Sequence, residues 1–432
     1  MPTDYRRITE FLKAAVGARR PEDVARLMPR LDPMPPKVPG GSAVSDGALE
    51  QRWALPGLPP GARGELADER TLAGREAFAR NVENFIGTVK VPVGLAGPLR
   101  VNGLFANGDF YVPLATTEAA LVASYSRGTQ LMTEAGGCTA LLVNEGVSRA
   151  PGFAFASVVD AALFVVWATG NLDAFSQAAA ATTRYGRLVD MQVALEGNHV
   201  YLVFEFTTGE AAGQNMVTIA TEAICRYIGE HAPVRATHCV VEANLSGDKK
   251  ATTQAFMRVR GKKVSAEIRL PAELVSRRLR TTPAALVDYW RMSAIGGVMS
   301  GSIGIHGHYA NGLAALFIAC GQDAACVAEA TMGVTRFEVD EDGSLYAAVT
   351  LPSLIVGTIG GGTGLPSQRA CLDILGLRGP DSARALAEIC AGLALAGELS
   401  ITGALASGEF ARAHQRLARG TPPEQAGGAG RV

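Results

Sequence analysis

The chain has 432 residues, 48% of them hydrophobic and 19% charged, with a net charge of −1, which is long enough for two or three cores. Balanced charge without a basic run excludes the electrostatic footprint of a nucleic-acid or anionic-membrane binder, and 50 glycines without a fixed period exclude collagen-like and repeat architectures. Seven scattered cysteines with no C-x-x-C pair read as reduced thiols of a cytoplasmic protein, not as a disulfide framework.

In chain order, "MPTDYRRITEFLKAAV" interleaves acids and bases and does not read as a signal peptide. Ile8, Leu12 and Val16 have helical spacing, which restarts at Pro21 with Val24, Leu27 and Leu31. The Pro/Gly-rich stretch 32–47 predicts an extended or mobile linker, and a second such cluster covers 56–64. Residues 188–206 alternate around Glu196-Gly197-Asn198 as a β-hairpin, and 255–271 suggest another around Gly261. Between them Met216, Ile219, Ala223, Tyr227 and Ile228 share a helical face. Residues 382–416 predict a long helix with Leu386, Ile389, Leu393 and Ala396 on one face. Its apolar run 389–406 is Ala/Gly-rich and interrupted by Glu398, the mark of a tightly packed helix more than of a membrane span. The tail 419–432 is expected to be disordered. Strands and helices in this irregular order predict an α+β fold, with a small sheet domain around 150–237 inserted in a larger one.

The stretch "GTIGGGTGLPSQ" (357–368) invites a nucleotide phosphate but fits neither G-x-G-x-x-G nor G-x-x-x-x-G-K-[ST]. By itself it reads as a tight turn feeding a helix over Ser367–Leu375. Four ionisable residues stand in small or apolar settings: Glu118, Lys249, Asp323 and His414. Each alone also has a structural reading, as a capping-box acid, a solvated turn, a loop acid and a surface helix residue respectively. His306 and His308 form an H-x-H pair, but no acid or cysteine accompanies them at ligand spacing, so no metal is expected.

Taken together, seven ordered segments resemble the 3-hydroxy-3-methylglutaryl-CoA reductase family, from about 83 to 414. They are "ENFIGTVKVPVGLAGPL" (83–99), "PLATTEAALVASYSRG" (113–128), "TTRYGRL" (182–188), "GEAAGQNM" (209–216), "SGDKK" (246–250), "YANGLAALFIACGQD" (309–323) and the glycine block 357–376. The double lysine and the histidine after "SGEFARA" look more like class I enzymes than class II. The resemblance implies a large acyl-CoA-binding domain (83–150 and 238–418) and a small inserted α/β, ferredoxin-like NADPH domain (151–237). Residues 1–82 would form an N-terminal helical region and linker. It further implies a soluble homodimer or homotetramer with its active site between subunits, and two hydride transfers that give mevalonate and CoA.

In that reaction the thioester carbonyl develops oxyanion character, which Lys249 would stabilise. His414 would protonate the departing thiolate. Glu118 would protonate the final alkoxide, given a pKa raised by burial and by a second carboxylate, Asp323, which would also hold Lys249. The resemblance places Thr183 and Arg184 on the cofactor's 2′-phosphate. Asn215 and Met216 would stand at a helix N-terminus facing the pyrophosphate, and Gly360, Gly361, Gly362 and Thr363 would form an anion-receptive backbone. Arg149, Asp248, Lys250, His308 and Asn311 would line the substrate site; Arg127 is a candidate for a CoA phosphate or a plain surface charge. Four positions depart from the family pattern: Glu210 for Asp, Glu242 for Ser, Met292 for Lys and Ile355 for Glu. They leave open a paralogous reductase of another acyl thioester and, as a different class, a non-catalytic CoA-binding protein.

Overall fold

The computed structural model describes residues 5–17, 22, 27 and 32–408, which fall into two compact units dividing between Thr88 and Val89. The expected helical restart at 21–31 is mostly outside the described residues, as are His414 and the tail.

The first unit contains helices α1 (Tyr5–Leu12), α2 (Asp46–Trp53), α3 (Pro60–Leu66) and α4 (Glu69–Ala73). Its small core is Val44, Leu49 and Phe85. Arg52 is 1% exposed and donates to the carbonyls of Pro39, Gly41, Ala43 and Phe85 at 2.9–3.2 Å. The Pro/Gly stretch is therefore extended as expected but pinned, because one buried guanidinium satisfies carbonyls that no secondary structure claims.

The second unit begins with β1 (Val93–Gly103), β2 (Asn107–Ala115), α5 (Leu121–Glu134) and β3 (Cys138–Arg149). Next come β4 (Gly152–Ala154), α6 (Val158–Thr169), α7 (Leu172–Ala180), β5 (Arg187–Glu196), β6 (His199–Thr207), α8 (Gln214–His231) and β7 (His238–Val240). Within this stretch the strand order is β7-β4-β6-β5, all antiparallel, connected β-α-α-β-β-α-β. The predicted hairpin is β5–β6, with Glu196 opposite His199. The face of α8 that packs inward is Val217, Ala220, Thr221, Ile224 and Ile228, whereas Ile219 is 59% exposed. The expected face is thus rotated by one residue, because Ala220 and Thr221 suit the tight approach to the sheet.

The chain continues through α9 (Thr253–Met257), β8 (Gly261–Leu270), α10 (Ala272–Leu279), α11 (Pro283–Ser300) and α12 (Tyr309–Ala319). It closes with α13 (Val327–Ala330), β9 (Val334–Val339), β10 (Leu345–Leu354), α14 (Pro366–Ile374) and α15 (Ser382–Ala406). The predicted hairpin over 255–271 is not formed. Residues 253–257 are helical, and β8 pairs instead with β3 and β10, using its buried alternates Val264, Ala266, Ile268 and Leu270. Alternation identified the strand but could not name its partners.

The helix α15 is long and apolar enough to cross a membrane, yet it is buried along most of its length as the core helix of this unit. Two carboxylates on it hold distant backbone. Glu388 accepts from the Phe105 and Ala106 N–H groups at 2.9 and 2.7 Å, and Glu398 from those of Gly307 and His308 at 2.7 and 2.9 Å. Charges this deep persist only when hydrogen-bonded.

Candidate active site

The loop after β7 carries Lys249, and its backbone is strained. Asn244 and Lys249 have φ of +70° and +55°, a region that costs non-glycine residues about 1–2 kcal/mol. A buried charge cluster over-determines it. Asp248 receives Arg260 at 2.6 Å, Arg149 at 3.1 Å and the Gln214 amide at 3.0 Å. Burial works to raise the Asp248 carboxyl, but Arg260 and Arg149 outweigh it and hold it below its ordinary range. Arg149 also meets Glu242 at 3.3 Å.

The Lys249 Nζ extends from this loop to Asp323 Oδ2, 2.9 Å away. The hydrogen bond to Asp323, opposed by partial burial, lifts the Lys249 ammonium above its ordinary 10.5. A permanent cation therefore stands beside a carboxylate, at a point open to solvent. Asp323 in turn accepts from the Ala325 N–H at 3.0 Å, which fixes its position ahead of a short 3-10 turn.

Glu118 follows β2 and is exposed. Asn311, in the first turn of α12, donates to both its carboxylate oxygens at 3.1 and 3.2 Å. His308 lies one turn earlier, stacked on Tyr125 with its Nδ1 3.4 Å from Glu398. Glu398 is fully enclosed. Burial pushes its carboxyl up, but His308 and the two backbone N–H groups dominate and keep it below its ordinary range. Among the described residues no hydrogen bond or ion pair joins Glu118 to Lys249 or Asp323. The expected three-member network is thus two separate halves in one chain, and the expected burial of Glu118 is absent because Ala119 and Ala120 lie near the surface with it.

The three segments expected to hold a cofactor do converge. Gly186, closing the Thr183-Arg184 turn, lies so near Met216 that a Cβ there would sit 2.6 Å from its Sδ. The helix α8 begins at Gln214 behind Gly213, without a side-chain cap, and leaves Asn215 exposed. The glycine block bridges to the same strand of chain: Ile359 pairs with Ala211, and Thr358 N–H donates to the Glu210 carbonyl at 2.8 Å. Its other side reaches the Asp323 segment, since a Cβ on Gly321 would lie 2.4 Å from the Gly362 carbonyl oxygen. The block is therefore the seam between an open helix N-terminus and the Lys249–Asp323 pair, with exposed backbone at Gly360 and Gly361, while Thr363 is buried.

Other expected residues have structural partners. Arg127 donates to the Ser400 hydroxyl and carbonyl and so ties α5 to α15. Lys250 Nζ caps the Asp248 carbonyl at 2.9 Å. Glu210 caps α15 through the Asp381 and Ala383 N–H groups, both 2.7 Å. Met292 is 77% exposed on α11, and the adjacent Arg291 is engaged by Asp288. Sequence reasoning missed Arg260, Glu329, Gln214 and the orienting role of Glu398. The only available signal was Glu398 itself, an acid inside an apolar helix. Among the described residues no group of three or more His, Cys, Asp and Glu is placed to hold a metal.

Comparison with known proteins adds the following. The family model for hydroxymethylglutaryl-coenzyme A reductase matches residues 52–419. The chain is 46% identical over 350 residues to the 3-hydroxy-3-methylglutaryl-coenzyme A reductase of Methanothermobacter thermautotrophicus, covering 80% of this chain and 86% of that protein. Identity to the Pyrococcus horikoshii protein of the same name is 44% over 352 residues, 80% of this chain and 85% of that one. Among solved structures, a class II 3-hydroxy-3-methylglutaryl-CoA reductase from Streptococcus pneumoniae, bound to NADPH in open conformations, aligns with a TM-score of 0.62. It is 22% identical and covers 80% of this chain and 95% of that chain.

Proposed function

The chain belongs to the hydroxymethylglutaryl-coenzyme A reductase family, and on that premise we propose how its own residues divide the work of the reaction. The protein is an enzyme that reduces 3-hydroxy-3-methylglutaryl-CoA to mevalonate and CoA with two NADPH, a step toward isoprenoids. The observation that carries the residue assignment is the Lys249–Asp323 pair joined through the glycine block to an open helix N-terminus.

Bound here, NADPH would supply the hydride for the thioester carbonyl and then for the aldehyde. The features that suit it are the uncapped start of α8, the exposed backbone of Gly360 and Gly361, and Arg184 on the turn seated against Met216. Backbone N–H groups at such a terminus favour a pyrophosphate, and a guanidinium favours a phosphate monoester. Residues 151–237 accordingly read as a small ferredoxin-like cofactor domain, with the acyl-CoA held by the remainder of the second unit. The Lys249 ammonium stabilises negative charge on the carbonyl oxygen at both reductions, and Asp323 holds it there. His414, outside the described residues, protonates the thiolate so that CoA leaves as a thiol. Glu118, aimed by Asn311, delivers the proton that completes the alcohol. For Arg127 to reach a CoA phosphate it would have to release Ser400.

The separation of Glu118 from Lys249 within one chain supports a homo-oligomer, dimer or tetramer, whose sites draw one half from each of two subunits. The exposed apolar side chains of Met292, Ile295, Val298 and Met299 on α11 are consistent with a covered face. A cytoplasmic location fits the balanced charge and the free thiols. The test is stoichiometry: two NADPH oxidised per 3-hydroxy-3-methylglutaryl-CoA consumed, one per mevaldehyde. A single NADPH per thioester would overturn the assigned sequence.

A further inference from the structure

The Lys249–Asp323 contact alone contributes little to fixing where the ammonium stands. Both side chains are 44% exposed, and exposed ion pairs contribute little to fixing two mobile side chains. What lies beneath the pair is different. Glu329 and Arg260 are 0% and 1% exposed. One oxygen of Glu329, Oε2, accepts at 3.0 Å from the backbone N–H of Lys249 and at 2.7 Å from Arg260 Nε.

Arg260 uses its remaining donors on both sides of the same loop. It reaches the Asp248 carboxylate at 2.6 Å, the Ser148 carbonyl at 2.9 Å and the Gln214 amide oxygen at 3.2 Å. Glu329 belongs to α13, six residues beyond Asp323 on the segment that carries that carboxylate. The Glu329–Arg260 pair therefore clasps the two pieces of backbone that present Lys249 and Asp323 to each other. It does so at the left-handed residue, where the chain would otherwise relax.

We propose that Glu329, through Arg260, is the positioning residue for Lys249, setting where the ammonium stands by gripping its backbone N–H from the segment that bears Asp323. The inference rests on the reading of Lys249 as the cation for the carbonyl oxygen. A misplaced cation loses its preference for the transition state while nucleotide and thioester still bind, so the loss falls on kcat and not on binding. Burial favours the protonated form of Glu329 and Arg260 opposes it; the carboxylate's other oxygen is buried without a hydrogen-bond partner among the described residues. A carboxylate kept in such a place is there for its geometry.

The experiment compares Arg260→Met/Glu329→Leu, Glu329→Gln and Lys249→Ala in the full-length chain, measuring melting temperature, NADPH affinity, KM and kcat. Replacing a buried ion pair by apolar residues often preserves stability, so the double variant should fold and bind NADPH normally while kcat falls about fivefold or more. A merely structural pair would lower the melting temperature and leave kcat per folded molecule unchanged. If the double variant does not fold, Glu329→Gln decides, since it keeps the shape and removes the charge. In the deciding variant, a loss of kcat below about fivefold with intact NADPH binding overturns the positioning role. Near-normal kcat in Lys249→Ala would instead overturn the reading of Lys249 itself.

Discussion

Lys249 Nζ and Asp323 Oδ2 stand 2.9 Å apart on segments that are separate in sequence, and both side chains are open to solvent. The pair offers a fixed cation where a carbonyl oxygen can approach. Lys249→Ala should lower kcat by about 10²–10³, the usual loss when a transition-state charge loses its partner. NADPH affinity should stay unchanged, as read by quenching of protein fluorescence.

The same pair sets a pH dependence. Asp323 holds the Lys249 ammonium above its ordinary 10.5. Its folded value exceeds its unfolded one, so its stabilising contribution is complete below 10.5 and fades as pH rises through the folded value. Lys249 should thus impose no alkaline limb on kcat between neutral pH and 10.5. In Asp323→Asn the limb of the residual activity should move down toward that ordinary value. A limb that stays where it is in wild type would show that another group titrates.

Arg184 stands exposed on a turn packed against the start of α8. If it grips the 2′-phosphate, Arg184→Ala should weaken NADPH binding by roughly ten- to a hundredfold, from about 1.5–3 kcal/mol for one charge-assisted contact. NADH binding should barely move. Equal losses for the two nucleotides would place Arg184 elsewhere.

Among the described residues Glu118 shares no hydrogen bond or ion pair with Lys249, which makes a mixing experiment informative. If the site forms between two subunits of a homo-oligomer, Glu118→Ala and Lys249→Ala proteins should each be inactive. Reassembled together, they should regain up to about a quarter of wild-type activity, because half of the sites in mixed dimers pair two intact halves. No recovery would place both groups of a working site on one chain.

Arg149 is already matched by Glu242 and Asp248, and position 292 carries no charge. If Arg149 faces the distal carboxylate of the acyl group, that carboxylate meets a cation already compensated by two acids. Glu242→Ser and Met292→Lys should each lower KM for 3-hydroxy-3-methylglutaryl-CoA with little change in kcat, the pattern of uniform binding. Wild-type preference for a thioester lacking that carboxylate would extend the substrate class. An unchanged KM in both variants would show that neither position faces it.

The parts of the fold legible in the sequence were those written in local period or local chemistry. The β5–β6 hairpin followed from alternation around a Gly-Asn turn, and the long helix expected over 382–416 from its apolar face, although the helix ends at Ala406. The glycine block was legible as an anomaly, since no common phosphate template fits it; the fold supplies separate reasons, the close approach of Gly357 to Ala212, the close approach of Gly362 to Gly321, and positive φ at Gly360 and Gly361. Partner choice was not legible. Nothing near Gly261 says that its strand pairs with residues 139–146 and 345–354. The same limit hid Arg260 and Glu329, an arginine at a strand entrance and a glutamate in a four-residue helix, each ordinary until the fold buries them against Lys249.

The helix Ser382–Ala406 has a consequence for how this protein comes apart. Ten residues, about 15 Å along its axis, separate Glu388 from Glu398, and each anchors a loop from a different part of the second unit. Neither of those two loops can fray without tearing its anchor from a helix that has almost no solvent-facing side. Its mid-helix amides should therefore exchange with deuterium only when the whole unit opens, and their exchange rate is a clock for global unfolding. Backbone around the Lys249 loop would keep faster, local time.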